Sequence, residues 1–164
     1  MRILGIDPGL HVTGYGVLDN TDDSIVLVEA GVIRSNSGAS LAEKLREIST
    51  ELTAIITQFR PESVAIEELY SHYDHPKTAI IMGHARGIIF LKAAEAEIPV
   101  FPYAATRIKK SLTGNGRASK AQVQKMVQST LRLKILPEPA DAADALAIAL
   151  CHARSLRQSA VEYQ

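Results

Sequence analysis

The apolar residues change their spacing once, near Ser40, and that change limits the layer architectures open to the chain. Before it, Arg2 to Ile6, Val12 to Leu18 and Ile25 to Ile33 read as strands, separated by the Pro8-Gly9 pair and the polar cluster Asp19 to Asp23. Such pairs and clusters between apolar runs are turn signals, so a β-meander is expected. After it, Leu41, Leu45, Ile48, Leu52, Ile55, Ile56 and Phe59 recur at three and four, the period of a helix with one buried face. Ser40 and Glu43 have the spacing of a capping box, and Pro61 stops the helix. Ser63 to Glu67 then reads as a strand, Thr78 to Glu97 as a second helix and Val100 to Tyr103 as a fifth strand. A short helical piece follows at Ala105 to Leu112, then a Gly-rich joint at Gly114 to Gly116 and a helix capped by Ser119 running to about Leu131. Pro137 and Pro139 introduce a last helix, Asp141 to about Arg157. A meander followed by βα alternation predicts an α/β fold, a five-stranded mixed sheet with helices on both faces.

A chain of 164 residues, 46% of them hydrophobic, holds one sizeable core and is too short for two ordinary domains. Residues 1–158 are therefore expected to form a single domain and 159–164 a loose tail. The lone cysteine, Cys151, has no partner for an internal disulfide, and no cationic, apolar leader is present, which points to a reducing cytoplasm. The most hydrophobic stretch, Thr78 to Ala96, is interrupted by His84, Arg86 and Lys92, which argues against a bilayer span and a membrane partner. Its helix is nonetheless apolar nearly all round, through Ile80, Ile81, Met82, Ile88, Ile89, Phe90 and Leu91, and such a helix must be covered on both sides. Gly83 and Gly87, four apart, would admit a second backbone, so the expectation is packing on the sheet inside and on a second subunit outside, a homodimer. A buried central helix is the plainer alternative.

Formal net charge is zero, from 18 basic and 18 acidic residues, yet the charges are unevenly placed. Between Glu97 and Glu138 there is no acid, while Arg107, Lys109, Lys110, Arg117, Lys120, Lys125, Arg132 and Lys134 are all basic, leaving ten basic against 18 acidic residues elsewhere. Attraction to a polyanion follows local charge, so this block is a candidate phosphate-binding face. A solvated basic helix would have the same composition.

Four carboxylates occupy telling positions. Asp7 ends the first strand, Glu67 ends the fourth, and Asp141 and Asp144 lie three apart in ADAADALAIA, on one face of the last helix. Singly, Asp7 could start a turn, Glu67 could open a loop, and the helical pair could complement the helix dipole. Jointly, acids at the ends of adjacent strands and a helix packing Leu146, Ile148 and Leu150 on the sheet could meet in one place. Clustered carboxylates repel unless cations neutralise them, and an all-oxygen donor set selects Mg²⁺ or Mn²⁺. Two such ions about 4 Å apart are a common device for phosphodiester hydrolysis. Beside a basic block, that chemistry belongs to a nuclease.

The stretches ILGIDPGLHVTGYGV, VAIEELY, GHARG, VQKMV and ADAADALAIA, in this order over about residues 1 to 155, resemble the RuvC family of bacterial Holliday-junction resolvases. The resemblance implies an RNase H-like fold, a homodimer, Mg²⁺-dependent symmetric nicking of a four-way DNA junction, and cooperation with the RuvAB branch-migration motor. It also implies 5′-phosphate and 3′-hydroxyl ends that a ligase can seal. Motif by motif, Asp7, Glu67, Asp141 and Asp144 fall on the family's four metal-binding catalytic acids, for two Mg²⁺ ions per subunit with Mn²⁺ as a substitute. Glu68 does not, in keeping with strand alternation, and some family members carry His where this chain has Asp141. Lys109 and Lys120 fall on basic residues used near the scissile DNA, with Arg107, Lys110 and Arg117 as further candidate contacts. Tyr70 stands where the family commonly has Phe, an aromatic that stacks on an unpaired base, and stacking tolerates the hydroxyl.

Other signals are set aside. GNGRASK lacks the spacing of a phosphate loop and follows a helix instead of a strand. His11, His72, His75, His84 and His152 show no paired metal spacing, although His72, Tyr73 and His75 lie beyond the fourth strand, within reach of bound DNA. Asp7, Gly9 and Gly14 also suit the phosphate loop of actin-type ATPases, which need a second such domain that this chain lacks. A junction-binding scaffold without catalysis would be expected to have lost at least one of the four acids, and all are present.

Overall fold

The computed structural model describes residues 1–69 and 76–162. The chain runs β1 (Arg2–Asp7), β2 (Val12–Asn20), β3 (Ile25–Arg34), α1 (Leu41–Phe59), β4 (Ser63–Glu67), α2 (Pro76–Glu95), β5 (Val100–Tyr103), α3 (Ala105–Thr113), α4 (Lys120–Thr130) and α5 (Ala140–Glu162). The five strands form one sheet in the order β3-β2-β1-β4-β5. The meander β1 to β3 is antiparallel, and β4 and β5 add parallel to β1, which makes the sheet mixed as expected.

Each face of the sheet carries its own core. Leu4 and Ile6 of β1, Val17 of β2, Ile33 of β3 and Val64 and Ile66 of β4 pack with Ile48, Leu52 and Ile55 of α1 and Ala85, Ile89 and Ala93 of α2. The alternate residues Ile3, Leu18, Ala65 and Tyr103 pack on the other face with α3, α4 and α5. Strand alternation thus fixes the sides: Asp7 shares its face with Ile3 and Gly5, and Glu67 with Ser63 and Ala65, so both acids lie on the α5 face. Here the sheet admits a backbone. A Cβ at Gly5 would collide with the Ala145 carbonyl, one at Gly14 with the Asp141 carbonyl and one at Gly16 with the Leu146 side chain, so α5 lies directly on the β1–β2 hairpin.

The local signals act as read. Ser40 and Glu43 form a reciprocal capping box on α1, Arg60 ends that helix in a left-handed conformation before Pro61, and Ser119 and Gln122 cap α4 in the same way. Two ends differ. Helix α2 begins at Pro76 and stops at Glu95, two residues before the expected end, because the chain turns back at Glu97 with φ of 58°. Helix α5 runs to Glu162, past the expected stop near Arg157 and into the residues expected to be a loose tail. Nothing after Arg157 breaks a helix, and only the apolar periodicity ends there.

The all-round apolar character of α2 resolves into two sides. Ala85, Ile89 and Ala93 are fully buried, while Ile80 is 63% and Leu91 51% exposed, with Ile81 and Phe90 also open. The sheet and α1 therefore cover one side, and among the described residues nothing covers the outer side. Among the described residues no helix is long and apolar enough to cross a membrane.

Candidate active site

The acids converge because three elements end together. Ile6 of β1 pairs with Ile66 of parallel β4, so the next residues, Asp7 and Glu67, leave adjacent strands at the same sheet edge. On the other side of Asp7 lies Gly14, against which the first turn of α5 rests, and that turn carries Asp141 and, three residues on, Asp144. A cleft of about 280 Å³ opens beside them, lined by Asp7, Glu67, Asp144, Lys109 and Lys120, with Asp141 outside its lining, over an apolar floor that includes Ile108, Val123 and Ile148.

Its electrostatics are those of crowded anions. Burial, followed by the charges of Asp144, Glu67 and Asp141, raises the Asp7 carboxyl from 3.8 to about 7, against the opposing pull of Lys120. Burial and Asp144 also raise Glu67, while Lys109 and Arg86 draw it down. The Lys120 ammonium lies 2.6 Å from an Asp144 carboxylate oxygen, which raises the lysine and supplies local neutralisation. As placed, no three His, Cys, Asp or Glu side chains among the described residues converge tightly enough to hold a metal ion. The chemistry of the donor set nonetheless fits a hard cation: the groups are carboxylate oxygens, and their mutual repulsion is what a divalent ion would relieve. An ion shared by Asp144 would compete with Lys120 for the same oxygens.

The basic residues divide. Lys109 and Lys120 face the acid cleft. Arg107 and Lys110, on the same short helix as Lys109, line a separate groove with Cys151 and Ser155. There Arg107 sits 5.0 Å over the Tyr103 ring and donates to the Ser155 hydroxyl. Arg117 is exposed in the turn between α3 and α4, its backbone N–H donating to the Asn115 side chain. Tyr70, His72, Tyr73 and His75 lie outside the described residues. Gly83 and Gly87 have no neighbour within 4 Å of a notional Cβ, so nothing among the described residues requires glycine there for space.

One contributor escapes a reading of the sequence. Arg86, in the GHARG stretch of α2, donates to the backbone carbonyl of Glu67 and lies 5.1 Å over the Phe90 ring. It thereby ties the helix on the opposite face to the end of β4. A guanidinium inside an apolar helix was the available signal, although its partner is a carbonyl that no side-chain pattern marks.

Acids at the ends of two central parallel strands, with a helix carrying more acids laid across them on a five-stranded mixed sheet, define the RNase H-like nuclease class. Within it, the family model of crossover junction endodeoxyribonuclease RuvC matches residues 3–152. The chain is 53% identical to the RuvC of Rhodopirellula baltica over 91% of its length and 84% of that protein. It is 44% identical to that of Caldicellulosiruptor saccharolyticus over 100% of its length and 98% of that protein. Thermus thermophilus RuvC in complex with a Holliday junction substrate superimposes with a TM-score of 0.90 at 36% identity, covering 97% of this chain and 96% of that one. The yeast mitochondrial resolvase Ydc2 shares the fold, with a TM-score of 0.65 at 15% identity, over 95% of this chain and 80% of that one. The chain belongs to the RuvC crossover junction endodeoxyribonuclease family.

Proposed function

We infer that this protein is a structure-selective DNA endonuclease that resolves four-way junctions by paired symmetric nicks, in recombination and repair. The observation that carries the reading is the carboxylate cluster at one sheet edge, where burial and then the neighbouring acids raise Asp7, in a chain of this family. Asp7, Glu67, Asp141 and Asp144 are the residues that hold Mg²⁺, two ions per subunit, with Mn²⁺ able to replace it. When bound, the metal supplies the positive charge that favours attack of water on phosphorus and departure of the 3′ oxygen. Lys109 and Lys120 flank those acids and bind the scissile phosphate. Lys120 exchanges its Asp144 partner for a phosphate oxygen as DNA arrives, and in doing so frees a carboxylate for the cation. Tyr70 stacks on an unpaired base near the crossover, and Arg117 adds a backbone contact.

Paired nicking calls for two equivalent sites, which a two-fold dimer supplies. The uncovered outer side of α2, with Gly83 and Gly87 on it, is the surface through which we place the second copy. The motor that moves the junction into this dimer is RuvAB, and the working compartment is the cytoplasm.

The decisive test is incubation with a synthetic four-way junction and a matched linear duplex, with and without Mg²⁺. The junction should be cut in pairs only with metal, and the duplex spared. Asp7→Asn should bind the junction as wild type does and lose cleavage by at least about a hundredfold. Near wild-type cleavage by that variant in Mg²⁺ would remove Asp7 from the site.

A further inference from the structure

His152 is fully buried on α5 and belongs to no part of the site described above. Its Nδ1 lies 2.7 Å from the Tyr103 hydroxyl and its Nε2 lies 3.1 Å from the Ser63 hydroxyl. Its ring stacks on Phe101, with centroids 4.5 Å apart and planes at 30°. Any core histidine needs partners for its ring nitrogens, but not partners drawn from particular strands. Here, three residues from two strands fix the ring in position, orientation and hydrogen bonding at once.

Those partners are close relatives of the acid site. Ser63 opens the strand that Glu67 closes, on the same face. Tyr103 is the direct β5 neighbour of Glu67, and its carbonyl accepts the Glu68 N–H at 2.9 Å, holding the end of β4. Ser63 to Glu67 is four strand residues, about 13 Å. Asp144 to His152 is eight helix residues, about 12 Å. The two spans match, so a bond made at one end determines what meets at the other. Sliding α5 by a single residue would shift Asp144 by about 1.5 Å and turn it by about 100°.

We propose that His152 is a positioning residue: through Ser63 and Tyr103 it sets the register at which α5 presents Asp144 to Glu67. The inference rests on the reading of those two acids as metal ligands. The glycine seam on β1 and β2 sets how close α5 comes, and the His152 contacts set where along β4 it stops. Both partners are hydroxyls, which satisfy a neutral ring in either tautomer, so the device carries no charge of its own into the core.

The test uses Tyr103→Phe and Ser63→Ala, singly and together, which remove one or two hydroxyls and keep the packing, alongside His152→Ala. The paired variant should need about tenfold more Mg²⁺ for half-maximal junction cleavage, with kcat regained at saturating metal. It should bind free Mn²⁺ correspondingly less tightly by electron paramagnetic resonance, with junction affinity in Ca²⁺ unchanged. Leu52→Ala, in the core on the opposite face, is the control for lost stability, compared well below either variant's melting temperature. A wild-type Mg²⁺ dependence in the paired variant, or an equal shift in Leu52→Ala, overturns the proposal. Glu67→Gln and Asp144→Asn are measured in parallel. If they still cleave, the acid-site reading has failed; if they do not, and the hydroxyl variants behave as wild type, only the register inference has failed.

Discussion

Two single side chains give the metal-free protein opposite responses to pH. Asp7, at about 7 against an ordinary 3.8, holds in the folded state a proton that the unfolded chain has released. Its contribution to stability is therefore complete below about pH 4 and is lost as pH rises through 7. Burial lowers His152 from 6.5 to about 4, so the folded state refuses a proton that the unfolded chain accepts. That stability is present above pH 6.5 and is lost as pH falls towards 4. The two slopes oppose each other over the shared interval. Asp7→Asn should accordingly be more stable than wild type at pH 8 in EDTA, by roughly 2 to 4 kcal/mol, and lose that advantage at pH 4. Urea unfolding at the two pH values measures this; an equal gain at both would show that packing, not charge, is responsible.

Among the elements, α5 is the one on which most depends, because its first turn touches β2 backbone to backbone. Gly14→Ala places a methyl group against the Asp141 carbonyl, and neither partner is a flexible side chain that could move aside. The expected cost is about 1 to 3 kcal/mol or more in denaturant unfolding. Junction cleavage should fall further than stability does, since the displaced turn bears two of the acids. Unchanged cleavage would mean that the turn is not part of the site. Helix ends and strand positions were largely readable in the residues, because Ser40, Ser119 and the Pro8-Gly9 pair act on their immediate neighbours. The meeting of Asp7 with Glu67 was readable as acids at the ends of adjacent strands, and that of Asp141 with Asp144 from helical spacing. Contacts across elements were not. The pairing of Lys120 with Asp144, the reach of Arg86 to the Glu67 carbonyl, and the His152 contacts each join residues whose local sequence says nothing of the partner. The basic block likewise looked uniform, whereas the helix turns Lys109 towards the acids and Arg107 and Lys110 away from them.

At the scale of the molecule, a chain of zero formal charge sorts its charges by region, and salt should reveal that. Reversing Lys109 and Lys120 to Glu should weaken junction binding and flatten its log–log salt dependence by about one unit per lost phosphate contact. An unchanged slope would place the DNA elsewhere. The uncovered side of α2 makes a second prediction. A Cβ at Gly87 meets no described residue within 4 Å, and leucine is a better helix former than glycine, so a single subunit of Gly87→Leu should fold at least as well. Any loss of mass in sedimentation would therefore report a contact between copies, and a dimer that sediments as wild type would move the interface off this residue. The meeting of the N-terminal hairpin with the C-terminal helix also has a consequence in time. Asp7 and Glu67 leave the ribosome before Asp141 and Asp144, and synthesis adds only about 5 to 20 residues per second. A nascent or prematurely terminated chain that has not reached α5 thus lacks two of the four clustered acids, and on the function proposed above such a fragment should not cut DNA.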